Sequence, residues 1–141
     1  MGESIKTSAV GLKKAVEDRN TLDPSQYSPL ALAYLGDAVY ELIVRERVLA
    51  EGNRQVNKLH KESTKYVNAG AQADLMMKIE DRLTDEEKAI YKRGRNANAH
   101  AAPKNQDVIA YRKSTGFEAL IGWLYLRGDM DRIQELINID F

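Results

Sequence analysis

Residues 28–52, SPLALAYLGDAVYELIVRERVLAEG, decide the fold expected for this chain of 141 residues. Ser28 offers a capping hydroxyl and Pro29 a preorganised first helical position, so the pattern predicts a helix that ends near Glu51, before Gly52. Apolar residues cover nearly its whole circumference, which a helix with one buried face does not show. We therefore expect burial on two sides, either by neighbouring helices of the same chain or by a second copy of the chain.

The remaining sequence is also expected to be helical, because no segment alternates apolar and polar residues as a half-buried strand does. Further helices are predicted over about 54–69, 71–79, 84–93 (opened by the capping box Thr84-Asp85-Glu86-Glu87), 107–126 and from 129 onward. A polar loop is predicted over 94–106. Residues 1–27 are expected to form a loosely attached N-terminal extension, and residues 28–141 a single all-α domain.

The composition excludes several classes of protein. The chain has no cysteine, which excludes disulfide frameworks, thiol catalysis and zinc ribbons and suits a reducing compartment, so a cytoplasmic location is expected. No apolar run resembles a signal peptide or is long enough to span a membrane, so no membrane partner is expected. The 21 basic and 21 acidic side chains balance, and this neutrality argues weakly against a nucleic-acid binder.

Two carboxylates stand out because each lies in a strongly apolar helix: Asp37 in the first helix and Glu118 in the helix over 107–126. An ionised carboxylate left without a partner in such a place costs several kcal/mol. One explanation is an ion pair with an arginine such as Arg45 or Arg112. The other is a divalent cation shared by both carboxylates, and hard oxygen ligands suit Mg²⁺.

Two glycines favour convergence of these carboxylates. Gly36 precedes Asp37, and Gly122 lies one turn after Glu118, so the two helix backbones could approach closely at these positions. Glu41 lies one turn after Asp37 and could extend a metal site, although an ion pair with Arg45 is the favoured interpretation.

A basic cluster is hidden by the neutral total charge. From Lys92 to Lys113 there are six cations and one acid, a local charge of +5, and this stretch leads directly into the helix of Glu118. Guanidinium groups, a flexible Gly94 and amide donors suit phosphate binding, although such runs are also common on solvated surfaces. The expected phosphate contacts are Lys92, Arg93, Arg95, Asn96, Lys104 and Arg112. With a metal nearby, these features indicate metal-assisted cleavage of a phosphodiester.

The sequence resembles the Mini-III ribonucleases of the ribonuclease III family over about residues 28–137. The motifs that carry the resemblance, in the same order, are Leu32-Ala33-Tyr34-Leu35-Gly36-Asp37-Ala38, Leu59-His60-Lys61, Lys92-Arg93-Gly94-Arg95-Asn96, Pro103-Lys104-Asn105 and Tyr111-Arg112-x-Ser114-Thr115-x-Phe117-Glu118-Ala119-Leu120. The resemblance implies an all-helical ribonuclease III catalytic domain that forms a homodimer through the first helix. It also implies Mg²⁺-dependent cleavage of double-stranded RNA, with Mn²⁺ as a substitute, leaving 5′-phosphate and 3′-hydroxyl ends.

The resemblance places Asp37 and Glu118 on the two central metal-binding acids of the family. Larger ribonuclease III enzymes carry further acids where this chain has Leu30, Ala33 and Thr115. Their absence is similar to the Mini-III pattern and implies fewer protein ligands and weak Mg²⁺ binding.

No double-stranded-RNA-binding domain fits in the 15 residues after Leu126, so the catalytic domain is expected to hold RNA alone. The family resemblance also implies a role in trimming 23S ribosomal RNA precursors. The alternative is a non-catalytic, double-stranded-RNA-binding or scaffold dimer with the same fold.

Overall fold

The computed structural model describes residues 22–97 and 107–138, and within these ranges it contains α-helices and short 3₁₀ helices but no strand. The α-helices are α1 (Pro29–Glu51), α2 (Val56–Val67), α3 (Ala69–Ile79), α4 (Asp85–Ala97), α5 (Val108–Leu126) and α6 (Met130–Ile137). The 3₁₀ helices are Pro24–Gln26 and Glu80–Arg82. The expected all-α fold is confirmed.

The predicted caps fix the ends of two helices. At the start of α1, the Ser28 hydroxyl accepts a hydrogen bond from the backbone N–H of Ala31 at 3.1 Å, and Gly52 is the C-cap. At the start of α4, the backbone N–H of Thr84 donates to Glu87 at 2.8 Å, while the N–H of Glu87 donates to the Thr84 hydroxyl at 3.2 Å. This reciprocal pair is the capping box that the sequence predicts.

Two predicted boundaries are wrong. The segment predicted as one helix over 54–69 ends at Val67, because Asn68 has extended backbone angles and caps α3 through its side chain. The helix predicted to end near Arg93 continues to Ala97, so Gly94 lies inside α4 rather than at the start of a loop.

Helix α5 forms the centre of the fold and packs against α1, α3 and α4. Its buried residues run almost without interruption from Ser114 to Leu124. The α1 and α5 backbones cross in direct contact: a Cβ added at Gly36 would lie 1.7 Å from the carbonyl oxygen of Glu118, and one at Gly122 would lie 2.1 Å from that of Leu32. The close approach predicted from the two glycines is therefore confirmed, and it requires glycine on both helices.

The other side of α1 remains exposed. Its core side is buried against α5, whereas Leu30, Tyr34, Leu42 and Leu49 are all exposed, with Tyr34 at 85% of its full accessible surface. These four residues, which we call the α1 stripe, share one side of the helix. The interpretation that neighbouring helices of the same chain surround α1 is therefore wrong for the described residues.

The start of the described chain is attached to the core. Ser25 accepts a hydrogen bond at its hydroxyl from the Trp123 indole N–H at 3.0 Å, and its carbonyl accepts one from Arg93 at 3.1 Å. Residues 1–21 of the predicted extension lie outside the described residues. None of the described helices is long and apolar enough to cross a membrane.

Candidate active site

Asp37 and Glu118, the acid pair, are brought together by the α1–α5 crossing. Glu118 is partly buried on α5, and Asp37 lies on the exposed side of the crossing. Burial of Glu118, together with its hydrogen bond to Asp37 and the negative charge of Asp37, raises the pKa of Glu118 from 4.5 to about 8. A pKa raised by burial and by a neighbouring carboxylate indicates that the ionised form of Glu118 lacks a positive partner.

No protein cation neutralises the acid pair within the ranges 22–97 and 107–138. Arg45, one of the arginines considered for this role, instead pairs with Glu41 at 2.7 Å. Neither Asp37 nor Glu118 forms an ion pair with any described residue. The arginine explanation of these carboxylates is therefore wrong for this part of the chain, and the pairing of Glu41 with Arg45 is confirmed.

The chemistry of the acid pair fits a hard divalent cation. Among the described residues, no group of three or more His, Cys, Asp and Glu side chains is placed to hold a metal, so the pair stands alone. Mg²⁺ keeps several waters and needs only one or two carboxylates. Thr115, one turn before Glu118, donates its hydroxyl to the Tyr111 carbonyl at 3.1 Å and adds no carboxylate to the pair.

Three of the predicted phosphate contacts converge. Arg95 and Asn96 at the end of α4 face Arg112 on the first turns of α5, where Lys113 and Ile109 complete a shallow cavity of about 210 Å³. These five residues, which we call the basic pocket, include three cations and no acid. Arg95 also lies over the Tyr91 ring, 5.6 Å from its centre.

The other predicted contacts do not join this pocket. Arg93 donates to the carbonyls of Ser25 and Tyr27 at 3.1 and 3.3 Å, so its guanidinium holds the first described segment. Lys92 is exposed on α4, and Lys104 lies outside the described residues.

Gly94 has a different role from the flexible one predicted. It is buried, and a Cβ added to it would lie 2.7 Å from the Ala119 side chain and 2.9 Å from Gly116. The glycine allows α4 to approach α5, and this contact sets the position of Arg95 and Asn96, the next two residues of α4.

Sequence reasoning missed three residues near these sites. Lys113 belongs to the basic cluster and could have been included with its neighbour Arg112. Ile109 gave no signal, because one apolar residue in a first helical turn usually packs in the core. Gln72 is a single amide in an apolar helix, and nothing local indicates that it bonds to Ser114 on α5.

Comparisons with known proteins agree with this geometry. Residues 30–129 match the model of the ribonuclease III domain. The chain is 50% identical over 112 residues to the Mini-ribonuclease 3 of Thermoanaerobacter sp. (strain X514), covering 79% of each protein. It is 49% identical over 118 residues to that of Enterococcus faecalis, covering 82% of this chain and 89% of the relative.

A solved structure has the same fold. The crystal structure of a Fusobacterium nucleatum protein superimposes with a TM-score of 0.76 at 36% identity, covering 84% of this chain and 95% of that one.

Proposed function

Because the chain belongs to the Mini-ribonuclease 3 group of the ribonuclease III family and is an endoribonuclease of that type, we propose that it cleaves double-stranded RNA with Mg²⁺ held by Asp37 and Glu118. Mn²⁺ is the expected substitute. The observation that carries the metal assignment is the acid pair itself, whose like charges meet with no cation among the described residues to offset them.

The two carboxylates would hold the ion from neighbouring helices. When bound, Mg²⁺ supplies positive charge beside the scissile phosphate and lowers the pKa of a bound water. Asp37 and Glu118 fix its position because the glycine contact between α1 and α5 leaves their backbones little freedom to separate. With only two protein carboxylates, metal binding should be weak and activity should fall steeply at low Mg²⁺.

The basic pocket supports binding of an RNA backbone. Arg95, Arg112 and Lys113 present three cations in one cavity, and guanidinium groups suit phosphate oxygens. Proteins recognise duplex RNA mainly through phosphates and 2′-hydroxyls. We expect modest, salt-sensitive affinity with little dependence on sequence.

The α1 stripe supports a homodimer. It exposes four large apolar side chains on the helix that also carries Asp37, and a two-fold axis would place two copies of this helix against each other. We propose that each protomer contributes one cleavage centre, so that a dimer cuts both strands. Sedimentation should show a dimer for the wild type and a monomer for Tyr34→Arg, and a wild-type monomer would contradict this proposal.

The central experiment is cleavage of a long RNA duplex by wild type, Asp37→Asn and Glu118→Gln. We expect each substitution to lower the rate at least on the order of a hundredfold. Asp74→Asn, which removes an exposed carboxylate on α3, is the matched control and should cleave as wild type does. Equal cleavage by all four proteins, or wild-type cleavage in excess chelator, would contradict the metal assignment.

For the natural substrate, we propose the stem that flanks 23S ribosomal RNA precursors in the cytoplasm. The support is the family resemblance, which joins this role to the catalytic domain. Purified protein should cut a precursor stem in preference to single-stranded RNA or duplex DNA. Cleavage of all three at equal rates would contradict specificity for duplex RNA.

A further inference from the structure

A buried polar pair joins α3 to α5 in a largely apolar core. The Ser114 hydroxyl donates to Gln72 Oε1 at 2.5 Å, and Gln72 retains only 1% of its accessible surface. Ser114 is also buried, with 7% of its accessible surface remaining. A buried amide in such a place costs free energy unless all of its polar atoms are bonded.

The Gln72 amide is only half satisfied. Its Nε2 is fully buried and has no hydrogen-bond partner among the residues that the structure describes. A buried donor of this kind is uncommon in folded proteins and usually indicates a water or a ligand group that completes its bonding. The amide therefore has a donor available for a group beyond Ser114.

Glu118 follows Ser114 on α5 and carries one of the two carboxylates of the acid pair. Ser114 and Glu118 are one turn apart and lie on the same side of the helix. Helical side chains lean toward the N-terminus, so the Glu118 carboxylate extends over the turn that carries Ser114. Gln72 is bonded at that turn, because α3 packs against α5 there.

We propose that Gln72 is a positioning residue for Glu118, and that its Nε2 donates through one buried water to the Glu118 carboxylate. This inference rests on the proposed function, in which Glu118 is ionised and holds a metal. A neutral hydrogen-bond donor would stabilise the ionised, partly buried carboxylate of Glu118 beside Asp37. Because the donor carries no positive charge, it would leave the negative charge available to the metal. Outer hydrogen bonds of this kind orient metal-binding side chains.

The test is Mn²⁺ binding without RNA, measured by the electron paramagnetic resonance of free Mn²⁺. Gln72→Met keeps the length of the side chain and removes both polar atoms. We expect the Mn²⁺ dissociation constant to rise about tenfold. In cleavage assays, the metal concentration for half-maximal rate should rise by a similar factor, whereas the rate at saturating metal should change much less.

A second variant separates positioning from stability. Gln72→Met combined with Ser114→Ala removes the polar side-chain atoms of both residues of the pair and leaves neither without its partner, so its melting temperature should equal or exceed that of Gln72→Met alone. Its Mn²⁺ dissociation constant should nevertheless remain about tenfold higher than that of the wild type. Ser63→Ala is the matched control, because Ser63 is a buried serine that bonds within α2, and it should bind Mn²⁺ as wild type does.

Each outcome decides the question. Wild-type Mn²⁺ affinity in the double variant, or equal weakening by Ser63→Ala, would overturn the positioning role and leave the metal assignment intact. Failure of the wild type itself to bind Mn²⁺ would overturn the metal assignment and the positioning role together. A tenfold loss in both Gln72 variants, with Ser63→Ala unchanged, supports the proposal.

Discussion

Glu87 is a buried carboxylate on α4 and Glu118 a partly buried one on α5, and the two have opposite electrostatic surroundings. Arg132 donates two hydrogen bonds of 2.9 Å to the Glu87 carboxylate, and the backbone N–H of Thr84 donates a third at 2.8 Å. Burial alone raises the pKa of Glu87, but the bonds from Arg132 and Thr84 outweigh burial and hold it below its usual value. Glu118 meets only Asp37, and its pKa rises to about 8.

Under the proposed function, the difference separates a structural carboxylate, Glu87, from a functional one, Glu118. The charge on Glu87 is neutralised within the fold, so this residue ties α4 to α6 without a ligand. The charge on Glu118 is repelled by the carboxylate of Asp37. This repulsion destabilises the folded protein, and a bound cation would remove it. The acid pair thus lowers the stability of the metal-free protein, and under the proposed function a bound cation would offset this loss.

The largest effect on stability is expected at Gly36, where α1 and α5 cross and bring the acid pair together. Gly36→Ala would place a methyl group 1.7 Å from the Glu118 carbonyl oxygen, so α1 and α5 must separate. We expect a loss of about 4 kcal/mol or more in the free energy of unfolding, measured by urea denaturation. Gly52→Ala is the control, because nothing lies within 4 Å of its added Cβ. Equal stability of the two variants would contradict the close crossing.

The second prediction removes the partner of the structural carboxylate. Arg132→Met leaves Glu87, which is only 5% exposed, without its cation. We expect the free energy of unfolding, measured by urea denaturation, to fall by about 3 kcal/mol. Arg45→Met breaks the exposed pair with Glu41 and should cost less than about 1 kcal/mol. Similar losses in the two variants would mean that burial does not distinguish these ion pairs.

The sequence was informative where the signal is local. An acid within an apolar helix is visible in the sequence, and so Asp37 and Glu118 could be selected and their convergence inferred from Gly36 and Gly122. The capping box likewise located Glu87. Each of these patterns spans one helix or one helical turn.

Contacts between distant segments could not be predicted where neither segment carries such a local signal. Arg132 lies 45 residues from Glu87, and Ser114 lies 42 residues from Gln72, so no periodicity relates either pair. Gly94 was interpreted as flexible because its neighbours are polar, whereas its packing against α5 depends on a helix that begins more than ten residues later.

The third prediction concerns pH and the functional carboxylate. Because the pKa of Glu118 rises from 4.5 to about 8 on folding, its contribution to stability is fully present below about pH 4.5 and is lost as the pH rises through 8. Glu118→Gln removes this loss. In excess chelator, the variant should exceed the wild type by at least about 1 kcal/mol in unfolding free energy at about pH 8.5, and by much less near pH 5. A variant less stable than wild type at the higher pH would contradict the raised pKa.

The smallest effect is expected at Glu41, which tests whether the acid pair has a third member. Glu41 lies one turn from Asp37 but is bonded to Arg45 at 2.7 Å on a solvent-exposed side of α1. Glu41→Gln should change the free energy of unfolding by less than about 0.5 kcal/mol, because exposed pairs of this spacing contribute little. The Mg²⁺ concentration for half-maximal cleavage should also stay the same. A severalfold increase in that concentration would place Glu41 with the acid pair, and the contrast would then be between Glu87 and three functional carboxylates.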